Sequence, residues 1–316
     1  MINKDRYKNK MDLKNKELQV LDQKRTREVL NIFDLMNEIK KAAIEYSEGA
    51  ILSPERMVVP RNGEGVMLSM PAVADDISVH KLVNVEPSNH EKKLPTIFGL
   101  VTVFDSVTGQ PLCVLDGPEV TGCRTAAVSM LGIDTFLDSS PSRILIIGCG
   151  TQAIYHVRAI RQVYPNAEIF IRGIDLEGAT SFCNEFYEEG SSLKPCEPTD
   201  IPEGTDVVIL LTTSRTPIYY ETGQLGRLII GVGAFKPDMA EISAHTLSTS
   251  AVYVDDFEGA KHEAGDLIQA NTDWGQVHNL AEAINKKPIS DRPIVFKTVG
   301  TGAWDLAAGR VAVKNI

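Results

Sequence analysis

The sequence predicts an α/β protein in two parts, a mostly antiparallel sheet followed by a doubly wound parallel sheet. Three observations support this fold class. Short β-rich runs follow one another closely between residues 57 and 115, strands and helices alternate after Ser140-Pro141, and residues 142–153 read SRILIIGCGTQA. That last segment combines a short apolar strand, a glycine turn and a helix start, an order that favours phosphate binding at the helix N-terminus.

Composition limits the classes of function. With 316 residues, 43% of them hydrophobic, the chain can bury a large core and is expected to form two domains. A net charge of -10 argues against a nucleic-acid partner. Five cysteines without a CxxC pair predict free thiols and a cytoplasmic protein, and six scattered histidines predict no metal site. No stretch is long and apolar enough to predict a membrane partner.

The first residues are basic and lack the apolar core of a signal peptide, so we expect a frayed leader, with Met11 as an alternative start. A short strand is predicted over Leu18 to Leu21, and a helix over Phe33 to Glu48 that Gly49 ends. The β-rich runs that follow are MVVP, GVMLSMP, ISVHKLVNV, IFGLVTVFD and PLCVLD, broken by Asn62-Gly63, Pro71, Pro87 and Thr108-Gly109. Such spacing predicts hairpins.

The second part predicts the strands RILIIG, EIFIRG, DVVILLTT, RLIIGVG and AVYVDD, with helices over Thr151 to Val163 and Leu176 to Glu189. A strand over Val295 to Val299 and a helix over Trp304 to Val313 come last, and the sequence does not fix where they dock. The alternation of strands and helices predicts that the second sheet is parallel.

The glycine turn is the clearest candidate for cofactor binding. Gly148 and Gly150 allow a tight turn and close approach to a phosphate, Thr151 and Gln152 open the helix, and Ala153 replaces the third glycine of the G-x-G-x-x-G pattern. An ordinary βα turn is the alternative reading. The strand before it and the helix after it favour a dinucleotide.

The end of the second strand bears on which dinucleotide binds. Arg172 lies there and favours a ribose 2′-phosphate, which makes NADPH the first choice. Asp175, three residues later, could instead bond the ribose hydroxyls of NADH, so NADH stays possible.

Three cations interrupt apolar or small-residue segments: Arg56, Lys81 and Arg124. A buried cation needs a carboxylate, a helix C-terminus or an anionic ligand. Glu55, Glu86, Asp116 or Glu119 could neutralise any one of the three. Together, the cations favour a pocket for a carboxylate.

Two further segments contain polar residues that we expect to have no catalytic role. His80 must point to the opposite face of the strand from Lys81, so we take it as structural. His262, Glu263 and Asp266 in KHEAGDL are expected to form a polar surface without chemistry.

The chain resembles the ornithine cyclodeaminase/mu-crystallin family through PERMVVP, HKLV, DGPEVTGCRTAAVS, IIGCGTQA, VGAFKPD and FKTVGTGAWDLAAGR, from about Leu18 to Val313. Within the family it is most similar to reductases of Δ1-pyrroline-2-carboxylate and Δ1-piperideine-2-carboxylate. The resemblance implies a substrate and dimerisation domain over 1–125, completed by 300–316, a Rossmann domain over 126–299, and a homodimer.

The resemblance also implies roles for individual residues. Arg56 and Arg124 would hold the substrate carboxylate, and Lys81 would touch both that carboxylate and the reacting nitrogen, to which it or a water could supply a proton. The remaining positions are Thr301 facing the substrate, Asp305 as partner of a buried cation, Thr125, Thr212, Thr213 and Ser214 as cofactor contacts, and Val232 and Gly233 beside the nicotinamide. The hydroxyls after the strand could instead only cap a turn.

One departure from the family pattern separates two activities. Ornithine cyclodeaminases place a catalytic aspartate directly after the glycine turn, where this chain has Phe235. Phenylalanine cannot move a proton, so the sequence favours reduction of a cyclic imine to L-proline or L-pipecolate. Asp238 is expected to start a helix, with general acid as its alternative. Ornithine cyclodeaminase, amino-acid dehydrogenase and an NADPH-binding protein without turnover stay as alternatives.

Overall fold

The computed structural model describes residues 17–61, 63, 65–186, 193–289 and 291–316. It contains two sheets with helices between and around them, and the fold class predicted from the sequence is confirmed. The expected frayed leader and alternative start at Met11 lie outside the described residues.

The first sheet has six strands in the order β1-β6-β5-β4-β3-β2. All neighbours pair antiparallel except β1 and β6. The elements are β1 Gln19–Val20, α1 Gln23–Val29, α2 Ile32–Ser47, β2 Met57–Pro60, β3 Val66–Val73, β4 Ile77–Val85, a 3-10 helix Pro87–Lys92, β5 Ile97–Asp105 and β6 Pro111–Asp116.

The strand break expected at Pro71 is wrong, because this residue lies inside β3, opposite His80 of β4. On the other side of β3, the pairing with β2 ends at Ser69. Proline has no N–H to donate, and a position without a partner strand on one side tolerates it.

Helix α3, Gly117–Phe136, leads from the first sheet to the second and is buried over most of its length. The domain boundary predicted between residues 125 and 126 falls inside this helix, and the division into two domains at that point stays a prediction. Asp116 caps the helix by accepting a hydrogen bond from the Glu119 amide, and Pro118 occupies its first turn, where a missing N–H costs nothing.

The second sheet has eight parallel strands in the order β13-β12-β14-β11-β10-β7-β8-β9. Its elements are β7 Arg143–Ile147, α4 Thr151–Val163, β8 Glu168–Arg172, α5 Leu176–Glu185, β9 Leu193–Cys196, β10 Val207–Leu210, β11 Leu228–Gly231, α6 Ala244–Ser248, β12 Ala251–Val254, α7 Phe257–Glu263, α8 Gly265–Gln269, a 3-10 helix Trp274–Gln276, β13 Val277–Asn279, α9 Leu280–Asn285 and β14 Ile294–Lys297.

The strand order reverses between β7 and β10, which is where a doubly wound sheet opens a ligand crevice beyond its carboxyl edge. Helix α5 ends at Glu185, earlier than the predicted Glu189, which lies outside the described residues.

The last helix, α10 Gly302–Asn315, returns to the first sheet and packs on α2, β3 and β4. Strand β14 lies between β11 and β12, which defines the docking that the sequence leaves open. Within the described part of the chain, none of the helices combines the length and the apolar character that a bilayer crossing needs.

Candidate active site

The glycine turn after β7 has the backbone that a phosphate site needs. Gly148 has φ +123°, and a Cβ there would lie 3.0 Å from the Leu211 carbonyl oxygen, so only glycine fits without strain. A Cβ on Gly150 would meet nothing within 4 Å, which leaves open space before the N-terminus of α4. The side chain of Ala153 is fully buried, as expected of a small residue between helix and sheet. These features fit a dinucleotide pyrophosphate.

The strand ends on either side of the turn carry the other predicted cofactor residues. Thr212, Thr213 and Ser214 follow β10, and Val232 and Gly233 follow β11. The two loops touch, because a Cβ on Gly233 would lie 1.9 Å from the Thr212 carbonyl oxygen. Thr125 lies in α3, where its hydroxyl donates to the Thr121 carbonyl oxygen at 2.6 Å.

Arg172 ends β8 and is 5% exposed. Its Nη2 donates to the Ile218 carbonyl oxygen at 2.9 Å, and no carboxylate among the described residues forms an ion pair with it. Burial lowers the pKa of this guanidinium. Asp175 caps α5 by accepting a bond from the Gly178 amide at 2.7 Å.

Lys81 and Arg124 converge on one buried carboxylate. Lys81 is buried in the middle of β4, and its Nζ lies 2.7 Å from Oδ2 of Asp305 in the first turn of α10. Nε of Arg124, from α3, lies 3.4 Å from the other Asp305 oxygen. Asp305 is 0% exposed. Its charge offsets one of the two cations, as expected of a partner for a buried cation.

Arg56 joins this cluster from the segment before β2. Its Nη2 lies 2.6 Å from Oε2 of Glu263 and donates to the carbonyl oxygens of Val299 and Gly300 at 3.0 and 2.8 Å. Gly300 has φ +77°, and a Cβ there would lie 2.7 Å from Nη1 of Arg124. The Val299–Gly300 turn therefore binds Arg56 through its carbonyl oxygens, and the missing side chain of Gly300 leaves space for the Arg124 guanidinium beside it.

Thr301 caps α10 and shares a 2.9 Å hydrogen bond with the Ser53 hydroxyl. It follows the same turn directly, so the structure brings together all four predicted substrate residues: Arg56, Lys81, Arg124 and Thr301. His80 lies on the other side of β4, where its Nε2 contacts the Ser69 hydroxyl at 2.8 Å.

The electrostatics of the cluster set the protonation of Lys81. The pKa of Lys81 falls to about 8, because burial and the charges of Arg124 and Arg56 together lower it more than Asp305 raises it. Burial also raises the pKa of Glu263 to about 7, while Arg56 opposes that shift. Within ion-pair distance, the three cations of the cluster thus outnumber the two carboxylates that pair with them.

Among the described residues, none of the carboxylates expected from the sequence (Glu55, Glu86, Asp116 and Glu119) forms an ion pair with these three cations. Glu119 instead accepts hydrogen bonds from Arg27 and from the Tyr155 hydroxyl, and Asp116 caps α3. The real partners, Asp305 and Glu263, lie far along the chain from the cations, so sequence proximity could not identify Glu263.

Residues 16–316 match the ornithine cyclodeaminase/mu-crystallin family. The chain belongs to this family. It is 47% identical over 293 residues to a Delta(1)-pyrroline-2-carboxylate/Delta(1)-piperideine-2-carboxylate reductase of Azospirillum brasilense, covering 93% of this chain and 94% of that protein.

Two solved structures of the family share the fold. One is Delta(1)-pyrroline-2-carboxylate reductase of Thermococcus litoralis in complex with NADH and L-proline, with TM-score 0.85, 26% identity, and coverage of 94% of this chain and 97% of that one. The other is an archaeal alanine dehydrogenase dimer with bound NAD, with TM-score 0.83, 26% identity, and coverage of 94% and 95%.

Sequence reasoning misses several residues of this site. The polar surface expected at KHEAGDL holds for His262, which is exposed, but it is wrong for Glu263, which pairs with Arg56, and for Asp266, which is 1% exposed. Asp255 is also missed: it accepts the Val299 and Gly300 amides at 2.9 and 3.0 Å and the Trp304 indole N–H at 3.0 Å. The sequence signal for Asp255 is its place directly after the strand in AVYVDD, at the carboxyl edge of the parallel sheet.

The helix start expected at Asp238 is wrong, because Pro237 and Asp238 form a turn. The Asp238 side chain is 59% exposed and lies 3.7 Å from Arg215, which is also exposed. Among the described residues, no group of three or more His, Cys, Asp or Glu side chains could hold a metal ion.

Proposed function

We propose that this protein reduces Δ1-pyrroline-2-carboxylate, and Δ1-piperideine-2-carboxylate, to L-proline and L-pipecolate with NADPH. The observation that carries the proposal is the buried cluster of Arg56, Lys81 and Arg124, in which three cations form ion pairs with two carboxylates, Asp305 and Glu263. A cyclic imino acid brings one further carboxylate, which these cations can bind. Relatives that carry this activity in their names support the same substrate class.

In this proposal, the two guanidinium groups of Arg56 and Arg124 bind the substrate carboxylate and hold the C=N carbon towards the carboxyl edge of the second sheet. The bound nicotinamide cofactor supplies the hydride. Lys81, with a pKa of about 8, is largely protonated at neutral pH and gives its proton to the ring nitrogen, directly or through a water. Asp305 keeps the ammonium in place and stabilises its charge.

The glycine turn and α4 would hold the pyrophosphate, and Thr125, Thr151, Gln152 and the loops after β10 and β11 would hold the rest of the cofactor. We assign NADPH rather than NADH because Arg172 is buried at the end of β8 without a carboxylate partner among the described residues, so a 2′-phosphate would supply its counter-charge.

The cofactor assignment is tested by Arg172→Ala. We expect KM for NADPH to rise more than about tenfold while KM for NADH stays within about twofold, because only NADPH loses a charged contact. Arg25→Ala, at an exposed position of α1, is the control. An equal effect on both cofactors would assign Arg172 a purely structural role.

The main experiment follows NADPH oxidation with each cyclic imine as substrate, for wild type, Lys81→Ala and the exposed-site control Lys24→Ala. We expect Lys81→Ala to lower kcat/KM by about 100-fold or more. No oxidation by the wild type with either imine would refute the proposal and favour a cofactor-binding protein without turnover.

A cyclodeaminase would instead release ammonia from L-ornithine. Phe235 follows the glycine turn, and the acidic side chain of Asp238 lies at the surface beside Arg215. We therefore expect no ammonia from L-ornithine. Release at a rate comparable with imine reduction would overturn this part of the proposal.

We also propose a homodimer formed by the outer face of the first sheet. Met57 of β2, Leu82 of β4 and Leu100 of β5 lie in register across the sheet, with Ser69 of β3 between the first two, and are 63%, 38% and 53% exposed. An apolar surface of this kind typically covers a partner, and one relative of the same fold is described as a dimer. Light scattering should give twice the chain mass, and Leu100→Glu should give the monomer.

The cytoplasmic location stays a prediction, with five free cysteines in its favour.

A further inference from the structure

The loops after β10 and β11 are held together by the carboxylate of Glu241, which lies farther along the second of them, between Ala234 and α6. Oε1 of Glu241 accepts the Thr212 amide at 2.5 Å and the Thr212 hydroxyl at 2.9 Å. Oε2 accepts the Gly233 amide at 2.7 Å and the Ala234 amide at 3.2 Å. One carboxylate therefore receives four hydrogen bonds, two from each loop.

Glu241 is itself fixed by a second buried pair. The backbone amides of Glu241 and Ile242 donate to Oδ1 of Asp266 at 2.5 and 2.8 Å, and Oδ2 of Asp266 lies 3.1 Å from Nζ of Lys297. Glu241 and Lys297 are 0% exposed, and Asp266 is 1% exposed. Burying an ion pair is costly unless its geometry is good and hydrogen bonds satisfy its remaining groups, and the two backbone amides supply such bonds to Asp266.

The position of these loops follows from the topology. The glycine turn lies after β7, and Arg172 lies beyond it at the end of β8, on one side of the switch point. The loops after β10 and β11 lie on the other side, next to the turn that contacts Arg56, since the Thr298 amide donates to the Gly231 carbonyl oxygen. A dinucleotide spanning the crevice must therefore place its nicotinamide half at the Glu241 loops.

We propose that Glu241 is a positioning residue that ties the loops after β10 and β11 together and so fixes the seat of the nicotinamide beside the substrate cations. The inference rests on the proposed function, because that function places the nicotinamide end of the cofactor at these two loops. Glu241 touches neither substrate nor cofactor in this role. It acts through Thr212 and Gly233.

Ionisation of Glu241 gives this role a distinct pH signature. Burial raises the pKa of Glu241 to about 7, against the opposing charge of Lys297 and the Thr212 bonds, while the Asp266 charge adds to the rise. Below that pH the carboxyl gains a proton, and an oxygen that accepted N–H bonds becomes a donor facing donors. The nicotinamide seat should therefore loosen as pH falls from 8 to 6.

The test compares two ligands on the same protein, NADPH and 2′,5′-ADP, which contains the adenosine half and lacks nicotinamide. Glu241→Gln keeps the side-chain shape but places an NH₂ group against backbone N–H donors. We expect it to weaken NADPH binding by about 10- to 100-fold while 2′,5′-ADP binding changes less than about twofold. Glu282→Gln, at an exposed site of α9, is the control.

The ratio of the two affinities is also measured against pH. The NADPH preference should fall more between pH 8 and 6 in the wild type than in Glu241→Gln. Ionisation of the 2′-phosphate affects both ligands, and ionisation of the 5′-phosphate of 2′,5′-ADP is common to both proteins, so it cancels when wild type and variant are compared at each pH. Thr212→Val, which removes one of the four bonds and keeps the amide, should give a smaller loss of about threefold, and it tests the idea if Glu241→Gln does not fold.

Equal weakening of both ligands, or no weakening of either, would overturn the role of Glu241. The proposed function fails differently, by absence of imine reduction in a wild type that still shows the nicotinamide preference.

Discussion

Replacing Asp305 by asparagine removes the counter-charge of the buried lysine without changing the size of the side chain. Asp305 lies 2.7 Å from Nζ of Lys81 and 3.4 Å from Nε of Arg124, and it is 0% exposed. In the wild type, burial lowers the pKa of Lys81 to about 8 although Asp305 raises it. The Asp305→Asn variant would leave the lowering effects of burial, Arg124 and Arg56 without that opposition.

The size of the shift follows from the ion-pair distance. Two unit charges about 3 Å apart, close to the 2.7 Å between Nζ and Oδ2, interact by about 5–6 kcal/mol at an effective dielectric constant of about 20. The asparagine dipole and water entry keep part of this, so we take a net loss of about 3 kcal/mol, equivalent to about 2 pKa units. The pKa of Lys81 should therefore fall from about 8 to about 6.

The assay is the pH profile of kcat/KM for the cyclic imine at saturating NADPH. A lysine acts as proton donor and cation only below its pKa, so activity falls as pH rises through that value. The falling limb should move down by about two units in Asp305→Asn, giving about 50-fold lower kcat/KM at pH 8 and a smaller difference near pH 6. Ionisation of the substrate is common to both enzymes and cancels in the comparison. A uniform loss at every pH, with the limb unmoved, would refute the coupling between Asp305 and Lys81.

Three further substitutions test the same site. Arg124→Lys removes the two-pronged contact with a carboxylate, and KM for the imine should rise about 10- to 100-fold while the Kd of NADPH is unchanged; an unchanged KM would remove Arg124 from the substrate site. Gly300→Ala places a Cβ 2.7 Å from Arg124 at φ +77°, so the free energy of unfolding should fall by about 1–2 kcal/mol with a higher substrate KM, checked by denaturant titration; full stability would contradict the close packing. Glu263→Gln removes the anion that competes with the substrate for Arg56, so KM for the imine should fall about two- to fivefold at pH 8. The decrease should be smaller at pH 6, because Glu263, with a pKa of about 7, already binds a proton there. A larger decrease at pH 6 than at pH 8 would contradict this competition.

The fold could be predicted from the sequence because its signals are local. Strand periodicity, turn residues and the glycine pattern each act over a few residues. They predict the first sheet, most strands of the second, and the helices α2, α4, α5 and α10, whereas the long helix α3 is not predicted. Pro71 misleads because its effect depends on whether a neighbouring strand reaches it, and the pairing with β2 stops at Ser69. The docking of β14 between β11 and β12 is likewise a property of the assembled sheet.

For the site, the cations could be predicted, and so could Asp305 through the family resemblance, whereas Glu263 could not. Arg56, Lys81 and Arg124 are conspicuous in apolar segments because charge there is costly. A carboxylate such as Glu263 is inconspicuous in KHEAGDL, where neighbouring polar residues are typical of a surface. Its burial results from packing against a segment that comes from the other sheet. Motif resemblance identifies the positions, whereas only the structure supplies the charge balance among them.

The segment from Lys297 to Asp305 links the substrate pocket to the cofactor edge. Lys297 holds Asp266 and, through it, the backbone of Glu241 beside the nicotinamide loops. The Val299 and Gly300 carbonyls, two and three residues later, bind Arg56, and Asp305 neutralises Lys81. Asp255 fixes the backbone between these points by accepting the Val299 and Gly300 amides. A short, buried stretch of chain thus determines how far the bound carboxylate lies from the hydride donor, and hydride transfer depends steeply on that distance.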